Sequence, residues 1–338
     1  DAYRRLAEIK STQLKLEGER QGLEEQPQPQ LTEENLANVI ELWTKIPASK
    51  IREEEFQRLS QLEQRLKSHI IGQDQAVDAI VRAILRSRAG LSRENRPAAS
   101  FLFHGPTGVG KTELARALAE LLDVAFVRFD MSEYMEKHAV ARLIGSPPGY
   151  VGFEQGGLLT EAIRKTPHAV LLLDEVEKAH PDVYNVLLQV MDYATLTDNT
   201  GRKADFRNVV LIMTTNAGAR EMEQSPVGFW STSRASDRSA GAVEQTFSPE
   251  FRNRLDAIVP FQSLSFELMA RIVNKTVAAL APGLAARRVT LELEDSARDW
   301  LARRGFDPRM GARPLQRVIR SELEDRLAEL LLFGGLEK

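Results

Sequence analysis

The residues Gly105-Pro106-Thr107-Gly108-Val109-Gly110-Lys111-Thr112 follow a short apolar run, Phe101-Leu-Phe-His104, and open a segment with apolar residues at helical spacing. Glycines at 105, 108 and 110 free the main chain to turn its N–H groups onto phosphate oxygens. Lys111 then supplies a cation for the β- and γ-phosphates, and the Thr112 hydroxyl supplies a ligand for Mg²⁺. A strand before and a helix after distinguish such a phosphate loop from a chance glycine-rich turn. Further on, Val170-Leu-Leu-Leu-Asp174-Glu175 places two carboxylates where a buried strand emerges. Asp174 suits the metal-ion carboxylate, and Glu175 suits the base that orients and deprotonates an attacking water, a role worth roughly 10²- to 10⁴-fold in rate. A third run, Val209 to Met213, ends in Thr214-Thr215-Asn216 and brings an amide to the same phosphate.

These residues need a scaffold that gathers strand ends. Between Ser100 and Asn216 the chain reads strand, loop, helix, repeated: FLFH with a helix from Lys111, AFVRF, AVLLLDE with a helix from Pro181, and NVVLIMTTN. Short apolar runs alternating with amphipathic helices predict parallel strands buried on both faces, hence an α/β three-layer domain with ligands at the carboxyl ends of the strands. After about Ser263 the pattern changes to a helix from Phe266 to Ala281, a short strand (VTLEL), a helix from Ser296 to Arg304 and a last helix through Leu332. This predicts a smaller α-rich domain with one short strand. Pro282-Gly283 is expected to end or kink its first helix. At the other end, Leu6, Ile9, Leu14 and Leu16 lie among charges in a long exposed or coiled-coil helix, and EEQPQPQ (24–30) reads as a linker. Thr32 should cap a helix bearing Leu36, Val39, Ile40 and Trp43 on one face, ended by Pro47. The expected organisation is therefore 1–30 as charged helix and linker, 31–262 as the large domain with its N-terminal helices, and 263–338 as the small domain. The chain opens on Asp1 within a helical pattern, so a longer parent chain is expected.

Composition excludes several other chemistries. The 338 residues, 43% hydrophobic and 28% charged, carry 45 Lys+Arg against 48 Asp+Glu, a formal charge of -3. That leaves no positive field for wrapping nucleic acid, and the 7% aromatic content offers no stacking channel for single strands. There is no cysteine for a disulfide, thiol nucleophile or zinc-thiolate site, and the five histidines have no metal-ligand spacing. The sequence has no apolar run of membrane-spanning length and no signal-peptide pattern, so neither a membrane nor a nucleic-acid partner is expected, and a cytoplasmic location is.

Taken together, the phosphate loop, LLLDE, TTN, the FRNRLD run at 251–256 and the MGARPLQR run at 310–317 resemble the second AAA+ module of the Clp unfoldase family, over roughly Ile51 to Lys338. The resemblance implies an ATP- and Mg²⁺-dependent homo-hexameric ring that hydrolyses ATP at subunit interfaces and threads unfolded polypeptide, with adaptors as further partners. By the same resemblance, Arg254 matches the arginine finger acting on a neighbouring subunit, with Arg252 beside it. An arginine so placed is worth on the order of 10³ to 10⁵ in turnover. Arg313 matches the arginine by which the small domain senses nucleotide, and Ile70-Ile71-Gly72-Gln73 resembles the segment that packs the adenine; both isoleucines also fit an ordinary core. Tyr150 and Val151, between Pro147-Pro148-Gly149 and Gly152-Phe153, resemble the substrate-gripping pore loop, and Thr197 to Asp205 resembles a second, charged pore hairpin. The long segment from Ala217 to Thr246 carries Val227-Gly228-Phe229, similar to the tripeptide by which ClpC- and ClpA-like unfoldases dock onto the ClpP peptidase. Disaggregases of the ClpB kind lack that loop and are the alternative. Local packing of Phe229 and Trp230 is the bland reading of the triplet.

Overall fold

The apolar runs do become strands. The computed structural model describes residues 54–91, 95–145, 156–218, 241–307 and 310–334, together with 5, 9–18, 32, 35, 39 and 42. In chain order the strands are β1 (Ala99–His104), β2 (Ala125–Asp130), β3 (Ala169–Asp174), β4 (Thr195–Thr197), β5 (Lys203–Asp205), β6 (Val209–Thr215) and β7 (Ala257–Pro260). Five of them form one sheet in the order β2-β3-β6-β1-β7, every pairing parallel, while β4 and β5 form a separate antiparallel ribbon. β1, β3 and β6 are buried almost throughout, which is why they read as unbroken apolar runs. β2 lies at the sheet edge and is only half-buried, so it tolerates the exposed Arg128.

The period-2 alternation along each central strand assigns its side chains to two cores. Phe101, Phe103, Val170, Leu172, Val210 and Ile212 face one side, where the helices Glu54–His69, Asp74–Arg88 and Lys111–Leu122 pack. Leu102, Leu171, Leu173, Leu211 and Met213 face the other, against the helices Lys137–Ile144, Leu158–Lys165 and Pro181–Tyr193. The first core continues into the C-terminal helices Phe266–Ala278, Asp295–Gly305 and Arg313–Ile319 through Met269, Val273, Leu301, Leu315 and Ile319. The result is a three-layer α/β domain with a helical small domain closing onto one of its layers.

Two small-domain expectations change. The segment VTLEL keeps its alternation, with Val289, Leu291 and Leu293 half-buried between exposed neighbours, yet it forms no ladder. A strand requires a hydrogen-bonding neighbour, and no extended segment among the described residues runs beside it. The first small-domain helix stops at Ala278, and Pro282 falls in the first turn of a new short helix, Ala281–Ala285, where its missing N–H costs nothing.

By its contacts the chain divides into residues 1–52 and 53–338. Within the first unit, residues 9–18 are helical and expose Ile9, Leu14 and Leu16. The Thr32 hydroxyl accepts the N–H of Asn35 at 3.3 Å, the predicted cap. Among the described residues no helix is long and apolar enough to cross a membrane.

Leu172 sits on the central layer with no exposure, so Leu172→Ala should destabilise the protein by about 2–5 kcal/mol in denaturant melts, whereas Leu332→Ala, at 67% exposure, should change stability by less than about 0.5 kcal/mol.

Candidate active site

The register of the sheet brings the site together. His104 of β1 pairs with Thr215 of β6, Leu173 of β3 with Met213, and Asp130 of β2 with Asp174, so four strands end at one level. The phosphate loop leaves β1 there. Gly105, Gly108 and Gly110 all adopt positive φ (138°, 73° and 106°), and Gly110 leads directly into the Lys111–Leu122 helix. Gly108 is irreplaceable for a second reason: a Cβ on it would lie 2.0 Å from the carbonyl oxygen of Met310. The small-domain turn lies against the loop at this point, and the Ala312 N–H donates to the Gly108 carbonyl at 3.0 Å.

Lys111 is 8% exposed, and its ammonium donates to the carbonyls of Gly105 (2.6 Å) and Pro106 (2.9 Å) and to Asn216 Oδ1 (2.9 Å). Burial lowers its pKa to about 8 against the pull of Glu177, Asp174 and Glu175, with Arg313 adding to the depression. Asp174 accepts from the Thr214 hydroxyl at 2.5 Å through Oδ1, and its Oδ2 takes Arg128 Nη2 at 2.8 Å and lies 3.5 Å from Thr112 Oγ1. A hydroxyl and a carboxylate oxygen converging at the helix start are the hard donors that Mg²⁺ prefers, so these residues fit that ion.

Glu175 stands in the left-handed region at φ 56°, a conformation that costs a non-glycine residue on the order of 1 kcal/mol. Its N–H is held by the Thr214 hydroxyl (3.0 Å), its Oε1 accepts from Asn216 Nδ2 (3.1 Å), and its Oε2 is paired with Lys178. Asn216 therefore spans the site, with its amide oxygen on Lys111 and its amide nitrogen on Glu175. The main-chain N–H of Asn216 donates in turn to Glu177 Oε1 at 2.9 Å.

A cavity of about 530 Å³ opens over these groups. Ile70, Ile71, Ile272 and Leu315 are among its apolar lining residues, Thr107, Lys111, Asp174, Glu175 and Asn216 among its polar ones, and Arg313 of the small domain also lines it. The size and the mixed lining suit a nucleotide. Ile70 does both things the sequence allowed, since it lines the cavity and is only 4% exposed within the core.

Of the remaining expectations, Arg254 lies away from this cavity. Its Nε reaches both oxygens of Asp192 at 2.8 Å, and it also pairs with Glu250; Arg252 pairs with Glu244. The Thr197–Asp205 hairpin is formed by β4 and β5, its turn closed by Asp198, which accepts from the N–H groups of Thr200 and Arg202. Tyr150 and Val151, and Val227, Gly228 and Phe229, lie outside the described residues. Sequence reasoning passed over Arg128, Glu177 and Lys178, and gave Thr214 and Gln73, which it placed in motifs, no role of their own. Gln73, 3% exposed, donates to the Val109 carbonyl (3.3 Å) and exchanges two hydrogen bonds with the Gln262 main chain, tying the phosphate loop to the link before the small domain. The signal for Glu177 was available as a second carboxylate two residues after Glu175 at the same strand end. The partners of Thr214 and Gln73 have no local signature.

Lys111 must carry its proton to hold phosphate, and its value near 8 makes that dependence visible. Below pH 8 the lysine is charged and nucleotide binding should move few protons. Above it, binding should draw a proton onto Lys111, and ATP affinity should fall by about tenfold per pH unit. Calorimetry at pH 7 and pH 9 in buffers of different ionisation enthalpy checks this: proton uptake near zero at the lower pH, approaching one at the higher.

Comparison with known proteins agrees with this geometry. Residues 96–258 match the family model described as AAA domain (Cdc48 subfamily), and residues 264–338 match that of the C-terminal, D2-small domain, of ClpB protein. A ClpA homolog protein of Fuscovulum blasticum is 53% identical over 300 residues, covering 89% of this chain and 38% of the relative. Chaperone protein ClpB of Meiothermus ruber is 53% identical over 309 residues, with 90% and 36% covered. Chaperone protein ClpB of Brucella suis is 51% identical over 313 residues, with 90% and 35% covered. The chain thus spans little more than a third of the length of these relatives. It belongs to the AAA family and is an ATPase module of the Clp type, in which the large α/β domain is joined to a small domain of the ClpB D2 kind.

Proposed function

We propose that this module works in a cytoplasmic ring of six copies that converts ATP hydrolysis into pulling on unfolded polypeptide, and that it delivers the polypeptide to the ClpP peptidase. The observation that carries the coupling is the hydrogen bond from Ala312 in the small domain to Gly108 in the phosphate loop, with Arg313 beside it in the cavity. A change in the loop's contents cannot leave that turn undisturbed. The loop N–H groups and Lys111 hold the phosphates, Ile70 and Ile71 receive the base, and Glu175 takes the proton of the attacking water. Asn216 keeps Glu175 and Lys111 in register. Mg²⁺ held by Thr112 and Asp174 would neutralise charge on the phosphate oxygens. Arg254 would leave Asp192 to reach the γ-phosphate bound by the adjacent copy.

Threading is assigned to Tyr150 and Val151. The residues flanking their loop support a link to the β4–β5 hairpin: Asn199 Nδ2 donates to the Gly145 carbonyl at 2.5 Å, and the Gly157 N–H bonds Asp198. Residues 145 and 157 are thus both tied to the hairpin. Delivery to ClpP rests on Val227-Gly228-Phe229, and substrate adaptors would be further partners. A second reading, a protease-independent disaggregase, is favoured by the ClpB-type small domain and by the relatives named Chaperone protein ClpB.

Glu175→Gln should retain ATP binding and lower steady-state hydrolysis by about 10²-fold or more, and rapid turnover by this variant would remove the assigned base. Deleting 227–229 should abolish ATP-dependent association with ClpP, measured by co-sedimentation under conditions where light scattering reports the ring. Failure of the undeleted protein to bind would favour the disaggregase reading.

A further inference from the structure

We propose that Glu177 is the positioning residue of the site: by accepting the Asn216 main-chain N–H it sets the amide that spans Glu175 and Lys111. The inference rests on the reading of Asn216 as that spanning group. Its basis is the turn that follows β3. The left-handed Glu175 reverses the chain, and a 3₁₀ turn, Val176–Lys178, follows. The turn is rigidly anchored. Val176 is fully buried, its carbonyl accepts from Tyr184 Oη at 2.7 Å and from the Ala179 N–H at 3.1 Å, and the His180 N–H reaches the Tyr134 carbonyl at 2.9 Å. Carboxylates two residues apart are thereby turned toward the end of β6. Glu175 takes the side-chain nitrogen of Asn216 and Glu177 takes its main-chain nitrogen, at 3.1 and 2.9 Å.

The β3–β6 ladder ends with the pair Leu173 and Met213 and the β1–β6 ladder with His104 and Thr215, so strand pairing stops one residue short of Asn216. Side chains take over: Thr214 bonds Asp174 and the Glu175 N–H, and Glu177 bonds Asn216. A neutral amide at 177 would satisfy the Asn216 N–H with less desolvation than a carboxylate. Glu177 nonetheless keeps a buried Oε2 with no hydrogen-bond partner among the described residues.

The test is ATP turnover by the intact protein carrying Glu177→Ala, Glu177→Gln, Asn216→Ala and the Glu177→Ala/Asn216→Ala pair, with nucleotide binding followed separately by a fluorescent ATP analogue. Glu177→Ala should lower kcat by about 10²-fold while KM, analogue affinity and the stoichiometry of analogue binding change less than threefold, whereas a loss of folded protein would reduce that stoichiometry in proportion to kcat. Glu177→Gln, which still accepts the N–H, should recover kcat to within a few-fold. The pair should be no slower than Asn216→Ala alone. Should the alanine variant not fold, Glu177→Asp, which withdraws the carboxylate by one methylene, should show the same selective loss of kcat. Unchanged kcat in Glu177→Ala or Glu177→Asp, equal loss in the alanine and glutamine variants, or multiplicative losses in the pair would each overturn the assignment. Full activity of Asn216→Ala would instead remove the site reading beneath it.

Discussion

A lysine ammonium with 8% exposure is the constraint around which this module is arranged. Taking such a charge out of water is costly unless hydrogen bonds and opposite charges replace the lost solvent. Three acceptors converge on Lys111, two of them carbonyls of its own loop, and the carboxylates of Asp174, Glu175 and Glu177 surround it. Those acids would repel one another without it. Arg128 and Lys178 share the remaining negative charge by pairing with Asp174 and Glu175. A bound triphosphate enters a site whose charges are already oriented, which is the condition for electrostatic catalysis.

The same few residues connect the cavity with the small domain. Gly108 lines the cavity and turns its carbonyl to the small domain, where it accepts the Ala312 N–H, so the loop borders both. Close approach is possible because neither Gly108 nor Gly311 carries a Cβ; either one would collide with the other's main chain or its neighbour's. Gln73 adds a second tie between the loop and the chain entering the small domain. The shared core, with Phe261, Leu264, Met269 and Leu315 in one apolar cluster, makes the small domain a continuation of one helical layer.

Much of this was legible in the residues. Strands buried on both faces announce themselves as apolar runs, and β1, β3 and β6 fell within a residue or two of the runs FLFH, VLLLD and VVLIMTT. The phosphate loop, Asp174, Glu175 and Asn216 were legible because each sits at the end of such a run, and parallel strands align their ends. The segment VTLEL misled because alternation specifies a half-buried extended chain, whereas a strand also requires a neighbour. Arg254 was legible as an arginine but its ion pair with Asp192 was not, since 62 positions separate the two.

Taken alone, the sequence determined the three-layer architecture and the placement of the glycine loop, the acids and the amide at the strand ends, because hydrophobic period and glycine placement act locally. Tertiary structure decided how those groups share one another. The grip of Glu175 and Glu177 on Asn216, the contact between Gly108 and the 310–312 turn, and the depression of the Lys111 pKa all depend on distances between residues 39 to more than 200 positions apart. Burial and charge balance are sums over neighbours in space, and no local pattern of residues encodes them.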